Sequence, residues 1–162
     1  MVTVRPAAAR DAAAITRIYN EGIEERTATL ETEPRPTDEF ERRLAAGEVF
    51  LVAERAGEVV GWGAIFDYSD RCAYAGVGEY TLYVARSARR AGAGARLLDA
   101  LIEEARRRGR HKLIGKIFTS NEPSVALAHR AGFRDVGVHE AHGRLDGDWK
   151  DVLVVERLLG GR

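Results

Sequence analysis

A single cysteine, four prolines and no surplus of charge bound what this 162-residue sequence can be. Cys72 alone can form neither an internal disulfide nor an all-cysteine metal site, so stability has to come from a core. Lys plus Arg and Asp plus Glu each number 25, a formal net charge of zero. That balance argues against a nucleic-acid partner, because such affinity comes largely from counterions released by clustered cations. No apolar run approaches the ~18 residues of a membrane helix. The start Met1-Val2-Thr3-Val4-Arg5-Pro6 lacks the apolar stretch of a secretion signal. The expectation is one domain spanning 1–162, cytoplasmic and without a membrane partner. With 45% hydrophobic and 31% charged residues, the chain has the composition of an ordinary globular core and surface.

Periodicity supplies the elements. Val2 to Arg5 reads as a short strand before Pro6. Asp11 is placed to cap a helix whose Ile15, Ile18, Tyr19, Gly22 and Ile23 share one face. Pro34 and Pro36 interrupt the chain before a short helix from about Thr37 to Ala46. Val49 to Arg55 and Glu58 to Phe66 form a hairpin at Ala56-Gly57, and Gly78 to Val84 is a further strand. A helix from about Ala93 to Arg108 buries Leu97, Leu98, Leu101, Ile102 and Ala105 and stops at Gly109. Strand Lys112 to Phe118, helix Glu122 to Ala131, strand Phe133 to His142 and strand Trp149 to Leu158 follow, the last two joined near Asp146-Gly147. The class is α+β: antiparallel hairpins, then a strand-helix-strand-helix unit, in one mixed sheet.

Chemistry concentrates between Tyr83 and Ala95, where a strand runs through a basic glycine-bearing turn into a helix. Glycines admit an anion close to the backbone, successive N–H groups face it, and the helix N-terminus adds about half a positive charge. Arg89 and Arg90 contribute mobile cations. A dinucleotide fingerprint would need a third glycine near position 97, where Leu97 stands, and the Gly-Lys-Ser/Thr ending of a P-loop is missing. What remains, Arg89-x-x-Gly92-x-Gly94, resembles the acetyl-CoA pyrophosphate loop of the GNAT superfamily of N-acetyltransferases. Asn121-Glu122-Pro123-Ser124, ahead of a helix ending Ala131-Gly132-Phe133, is similar to that superfamily's second cofactor element. Tyr19-Asn20, Ile23-Glu24, Thr32-Glu33-Pro34, Arg71 to Tyr74, Glu79 to Val84 and Gly147-Asp148-Trp149 extend the likeness over nearly the whole chain. Together they resemble the phosphinothricin and arsinothricin N-acetyltransferases.

The resemblance implies a GNAT fold, a mixed, twisted and splayed sheet flanked by helices, with acetyl-CoA as co-substrate and no metal. The pantetheine arm would lie along the strand edge at Leu82, Tyr83 and Val84. The pyrophosphate would sit on the amides of Arg90, Ala91, Gly92, Ala93, Gly94 and Ala95, with Arg89, Asn121 and Ser124 completing the cofactor site. Glu79 matches the general base, needed because acyl transfer requires a neutral amine. Arg71, Tyr74, Thr81 and Tyr83 match acceptor positions, with Arg26 and Arg144 as outer candidates. A guanidinium fork suits a tetrahedral oxyanion. The usual general-acid position holds Ala128, which leaves Tyr83, Tyr74 or water to protonate the thiolate. Tyr83 fits core packing equally well. His129 lies about 100° further around the helix and does not replace Ala128.

Two other patterns have structural readings. His139 and His142, an odd number of residues apart in a strand, should face opposite sides and share no metal. The basic run from Arg106 to Lys112 straddles a helix C-terminus, where cations offset the dipole. The resemblance also implies a homodimer, with the Asp146-Gly147 hairpin closing over the partner's acceptor site and Trp149 as an interface anchor. The functional expectation is an enzyme that detoxifies a small amino acid analogue of the phosphinothricin or arsinothricin kind. The alternative acceptor is another small amine or amino acid such as methionine sulfoximine. A non-catalytic acetyl-CoA-binding module is the third reading, favoured by Ala128 and opposed by Glu79.

Overall fold

Seven strands form one sheet in the order β1-β2-β3-β4-β5-β7-β6, in a computed structural model that describes residues 1–160. β1 (Val2–Pro6), β2 (Val49–Arg55), β3 (Glu58–Asp67) and β4 (Val77–Val84) pair antiparallel in succession. Ala56 and Gly57 turn the β2–β3 hairpin with both residues at positive φ, the turn whose twist matches that of the strands. β5 (Lys112–Phe118) joins β4 in parallel, and β7 (Asp148–Leu158) and β6 (Arg134–Leu145) extend the sheet antiparallel. The expected mixed, splayed sheet is therefore present.

Helices cover both faces. α3 (Ala93–Arg107) lies over β3 and β4, and the expected stripe is buried: Leu97, Leu98 and Leu101 have no exposed surface. Each such side chain contributes about 1.5–3 kcal/mol relative to an exposed one. Gly63 allows the close approach, since a Cβ there would stand 2.7 Å from the Leu101 side chain. Neighbouring Trp62 points the other way, towards α1 (Ala12–Glu25) and α2 (Thr37–Ala45). There Tyr19, Phe40, Phe50, Trp62 and Tyr83 form one cluster of edge-on and stacked rings. α4 (Glu122–Arg130) packs beside α3 and β5.

Two sequence expectations fail for identifiable reasons. Asp11 precedes α1 but does not cap it. Its buried carboxylate turns back to accept from Arg5 (2.8 and 2.9 Å) and from the Ala8 amide (2.7 Å), and Arg5 also reaches Glu54 at 2.7 Å. The hydrogen-bonded guanidinium holds the Asp11 carboxyl below the usual carboxylate range. His139 and His142 share a side, their rings stacked with centroids 4.4 Å apart. The cause is a bulge: His139 pairs with Val152 and Gly143 with Lys150, so β6 advances further than β7, and Ala141 takes positive φ.

The basic run behaves as a solvated helix end. Arg106 pairs with Glu103, Arg107 and Arg108 with Glu104, Arg110 with Asp67, and Lys112 with Glu156.

Candidate active site

The site begins where the sheet comes apart. β4 and β5 pair only from Val77–Lys112 to Glu79–Ile114 and then diverge. Just past that point the Tyr80 ring fills the space above Gly115, where a Cβ would stand 2.5 Å from a ring carbon. The wedge between the strands is walled by Thr81, Leu82 and Tyr83 of β4, by Lys116 and Phe118 of β5, and by Asn121, Ser124 and Leu127 at the start of α4. Beyond Glu79, β4 has no strand partner on this side. An extended ligand can therefore lie along that edge as an added strand does.

At the far end of β4 the chain makes a short 3-10 turn at Arg86–Ala88, and then Arg90 (φ 64°) and Gly92 (φ 86°) take left-handed conformations before α3. The first bond closing α3 runs from the Arg96 amide to the Gly92 carbonyl at 3.1 Å. Among the described residues, the amides of Arg90, Ala91, Gly92, Ala93, Gly94 and Ala95 have no protein acceptor. Six consecutive donors at a helix N-terminus form a cradle for an anion. A Cβ on Gly92 would meet nothing within 4 Å, so the mouth of the cradle is open. This geometry fits the diphosphate of a CoA thioester.

Two of the residues expected at the cofactor also make contacts within the protein. A Cβ on Gly94 would stand 3.2 Å from Leu127 and 3.7 Å from Val84, so Gly94 allows close packing of α3 rather than direct access for the anion. Arg89 is not a mobile cation. Its guanidinium grips Glu25 at the end of α1 (2.6 and 2.9 Å), which Arg86 also binds at 3.0 Å. These bonds, that from Arg89 foremost, hold the Glu25 carboxyl below its ordinary range. Arg89 thus braces the loop against α1, and Arg90 is left as the loop's exposed cation without an ion pair among the described residues.

Glu79, Thr81 and Tyr83 alternate onto the face of β4 that carries α1 and α2. Glu79 is part-buried, and its Oε1 lies 3.1 Å from the Nζ of Lys116, a residue absent from the sequence-derived site. The sequence signal for it is a second cation four residues after Lys112, within the apolar run Leu113-Ile114-Gly115-Lys116-Ile117-Phe118. Arg71 and Tyr74 lie exposed on the 68–76 loop, which begins next to the paired residues Phe66 and Glu79. Tyr74 leans edge-on against Tyr68. Arg26 is occupied as a strut, bonding the Ile23 carbonyl at 3.1 Å and Asp146 at 3.0 Å. Arg144 bonds the Gly147 carbonyl and covers the Trp149 ring.

Residues 15–133 match the model of the acetyltransferase (GNAT) family. The chain belongs to this family. It is 32% identical over 159 residues to the L-methionine sulfoximine/L-methionine sulfone acetyltransferase of Pseudomonas aeruginosa, spanning 95% of this chain and 92% of that protein. The phosphinothricin N-acetyltransferase of Streptomyces viridochromogenes is 34% identical over 154 residues, 93% of this chain and 84% of that one. A GNAT phosphinothricin acetyltransferase from Sinorhizobium meliloti, solved in complex with acetyl-CoA, superposes with a TM-score of 0.92 at 31% identity, over 98% of this chain and 89% of that one.

As a GNAT member the chain is an acetyl-CoA-dependent N-acetyltransferase, and the reading as a non-catalytic module is set aside. Its departure from the family pattern is structural as well as chemical. Ala128 is fully buried in the core and offers no proton. His129 faces away, 2.7 Å from Asp135. Tyr83 lies against Trp62 (centroids 5.1 Å apart) and Tyr19 (5.0 Å), and burial pushes its hydroxyl well above the usual tyrosine range. Its ring is packed into the aromatic cluster, while the residue also walls the cleft.

Proposed function

We propose that the acceptor is the primary amine of a small amino acid analogue of the phosphinothricin or arsinothricin type, and that its acetylation is a cytoplasmic detoxification. The observation carrying this reading is Glu79: a part-buried carboxylate at the point where β4 and β5 diverge, beside the cofactor cleft. There it takes a proton from the acceptor's ammonium, and the freed nitrogen attacks the thioester held along β4. Methionine sulfoximine, the named substrate of the Pseudomonas relative, is a second acceptor of the same zwitterionic kind.

Arg71 supplies the test of acceptor class, because its guanidinium has no ion partner among the described residues. We read it as the clamp for an acceptor's phosphinate or arsinate. Arg71→Ala is expected to reduce kcat/KM for such an acceptor by about 1.5–3 kcal/mol, the magnitude of one charge-assisted hydrogen bond. An uncharged primary amine assayed with the same variant should lose much less. Equal losses would make Arg71 structural and remove its support for the anionic acceptor.

We also propose a homodimer built on the β6 edge. Val136 and Val138 of β6 and Trp149 of the adjoining β7 are at least half exposed, at 51%, 50% and 60%. Apolar and aromatic side chains of this size suit a protein interface. Asp146 at the hairpin turn pairs with Arg26 of its own chain, so the hairpin is anchored before any partner arrives. Sedimentation at micromolar concentration should give a dimer that Trp149→Glu converts to monomer; a wild-type monomer contradicts the assignment.

A further inference from the structure

The departing thiolate needs a proton; Ala128 has none to give, His129 is turned to Asp135, and the Tyr83 ring is packed against Trp62 and Tyr19. Lys116 is placed differently. It stands on β5 in the wall of the cleft, two residues past the last β4–β5 pair, and its ammonium lies 3.1 Å from Glu79. No other ion partner is present among the described residues. Its cross-strand neighbour on β7 is Val154, and α4 presents the neutral Asn121 and Ser124 to the cleft. Glu79 is thus the charged group against which Lys116 is set.

We propose that Lys116 is the acid of the reaction, donating its proton to the leaving sulfur and recovering one from Glu79. The inference rests on the reading of Glu79 as the base. The acceptor enters as an ammonium, and Glu79 removes one N–H proton. The freed lone pair attacks the thioester carbonyl, so the C–N bond forms, the C–S bond breaks and the electron pair departs on sulfur. Lys116 protonates that sulfur to give the free thiol. Now a neutral amine, Lys116 takes the proton that Glu79 carries, and both groups return to their starting charge. The acceptor nitrogen loses its second proton to solvent as the amide forms. Each turnover therefore releases one proton, as the conversion of an ammonium and a thioester into an amide and a thiol requires.

The pair also explains how a cation can sit in a site that must admit another cation. The Glu79 carboxylate has two oxygens, and Lys116 engages Oε1. Oε2 is left for the acceptor's ammonium.

Two substitutions separate an acid from a group that merely holds Glu79 in place. Lys116→Arg keeps a permanent cation able to bond Glu79 but cannot give up its proton at accessible pH. Lys116→Met removes the charge while keeping a similar stem. The position is nearly half exposed, so neither change disturbs the core, and calorimetry with acetyl-CoA checks that binding is intact. Both variants are expected to lose about tenfold or more in kcat, a modest acid effect because thiolates leave readily. Arginine at the wild-type rate overturns the proposal, since a positioning cation would suffice. A second readout is independent of turnover: the ultraviolet thiolate absorbance of bound CoA, followed against pH. The thiol should ionise at a pH about one unit lower in the wild type than in Lys116→Met, because an adjacent ammonium favours the thiolate. Identical titrations also overturn the proposal. The base assignment fails separately, on a Glu79→Gln variant of undiminished rate, and the titration still decides whether Lys116 faces the sulfur.

Discussion

Glu79→Gln is expected to lower kcat by about a hundredfold or more while leaving acetyl-CoA affinity within about twofold of wild type. Glutamine keeps the shape of the side chain and an oxygen that can accept from Lys116, so the junction of β4 and β5 survives. What disappears is the proton acceptor. Without it the bound acceptor stays an ammonium, whose nitrogen has no lone pair with which to attack. The proposed cofactor contacts lie on the β4 edge and on the amide cradle before α3, neither of which includes the Glu79 carboxylate. Steady-state kinetics and calorimetry on the one variant separate the two contributions. A retained kcat would remove Glu79 from the mechanism, whereas a loss of binding equal to the loss of rate would mean that the substitution had damaged the cleft.

Gly92→Val should produce the complementary defect. At φ 86° this glycine occupies a conformation that a β-branched residue adopts only under strain, and it sits amid the run of unpaired amides. Valine is expected to draw the backbone out of the left-handed region and re-aim the neighbouring N–H groups. Losing one well-directed hydrogen bond to a charged phosphate costs about 2–3 kcal/mol, roughly a thirtyfold to hundredfold loss of acetyl-CoA affinity. The turn is exposed, so thermal stability should change little. Calorimetric titration with acetyl-CoA checks the loss, and an unchanged affinity would show that the diphosphate lies elsewhere. Gly94 is a less direct test, because a side chain there first strikes Leu127.

Most of the architecture follows from local rules that the sequence alone displays. The buried stripe of α3 follows from its helical repeat, and the Ala56-Gly57 and Asp146-Gly147 turns follow from residues that tolerate positive φ. The anion cradle was legible for the same reason, being a strand, a glycine turn and a helix start consecutive in the chain. Side-chain partnerships across long sequence separations were not legible. Asp11 looks like a cap because the amide donors that follow it in sequence are in plain view, whereas the Arg5 guanidinium that claims it is also held by Glu54, which lies close only once β1 is beside β2. Arg89 is bound by Glu25, 64 residues earlier. His139 and His142 share a side because β6 bulges against β7, a consequence of register that strand alternation does not anticipate. The contact of Lys116 with Glu79 is not legible locally, because it depends on β5 lying beside β4 where the strands part.

In the proposed reaction the cleft between β4 and β5 transfers an acetyl group to the amine of a small amino acid analogue. Release of free thiol from acetyl-CoA, measured across a panel containing phosphinothricin, arsinothricin, methionine sulfoximine, ordinary amino acids and simple uncharged amines, tests it most directly. Turnover is expected, greatest with one of the oxyanion-bearing or sulfoximine amino acids and abolished when its amino group is blocked. Thiol release with none of the amines, or a preference for simple uncharged amines over every amino acid analogue, would contradict it.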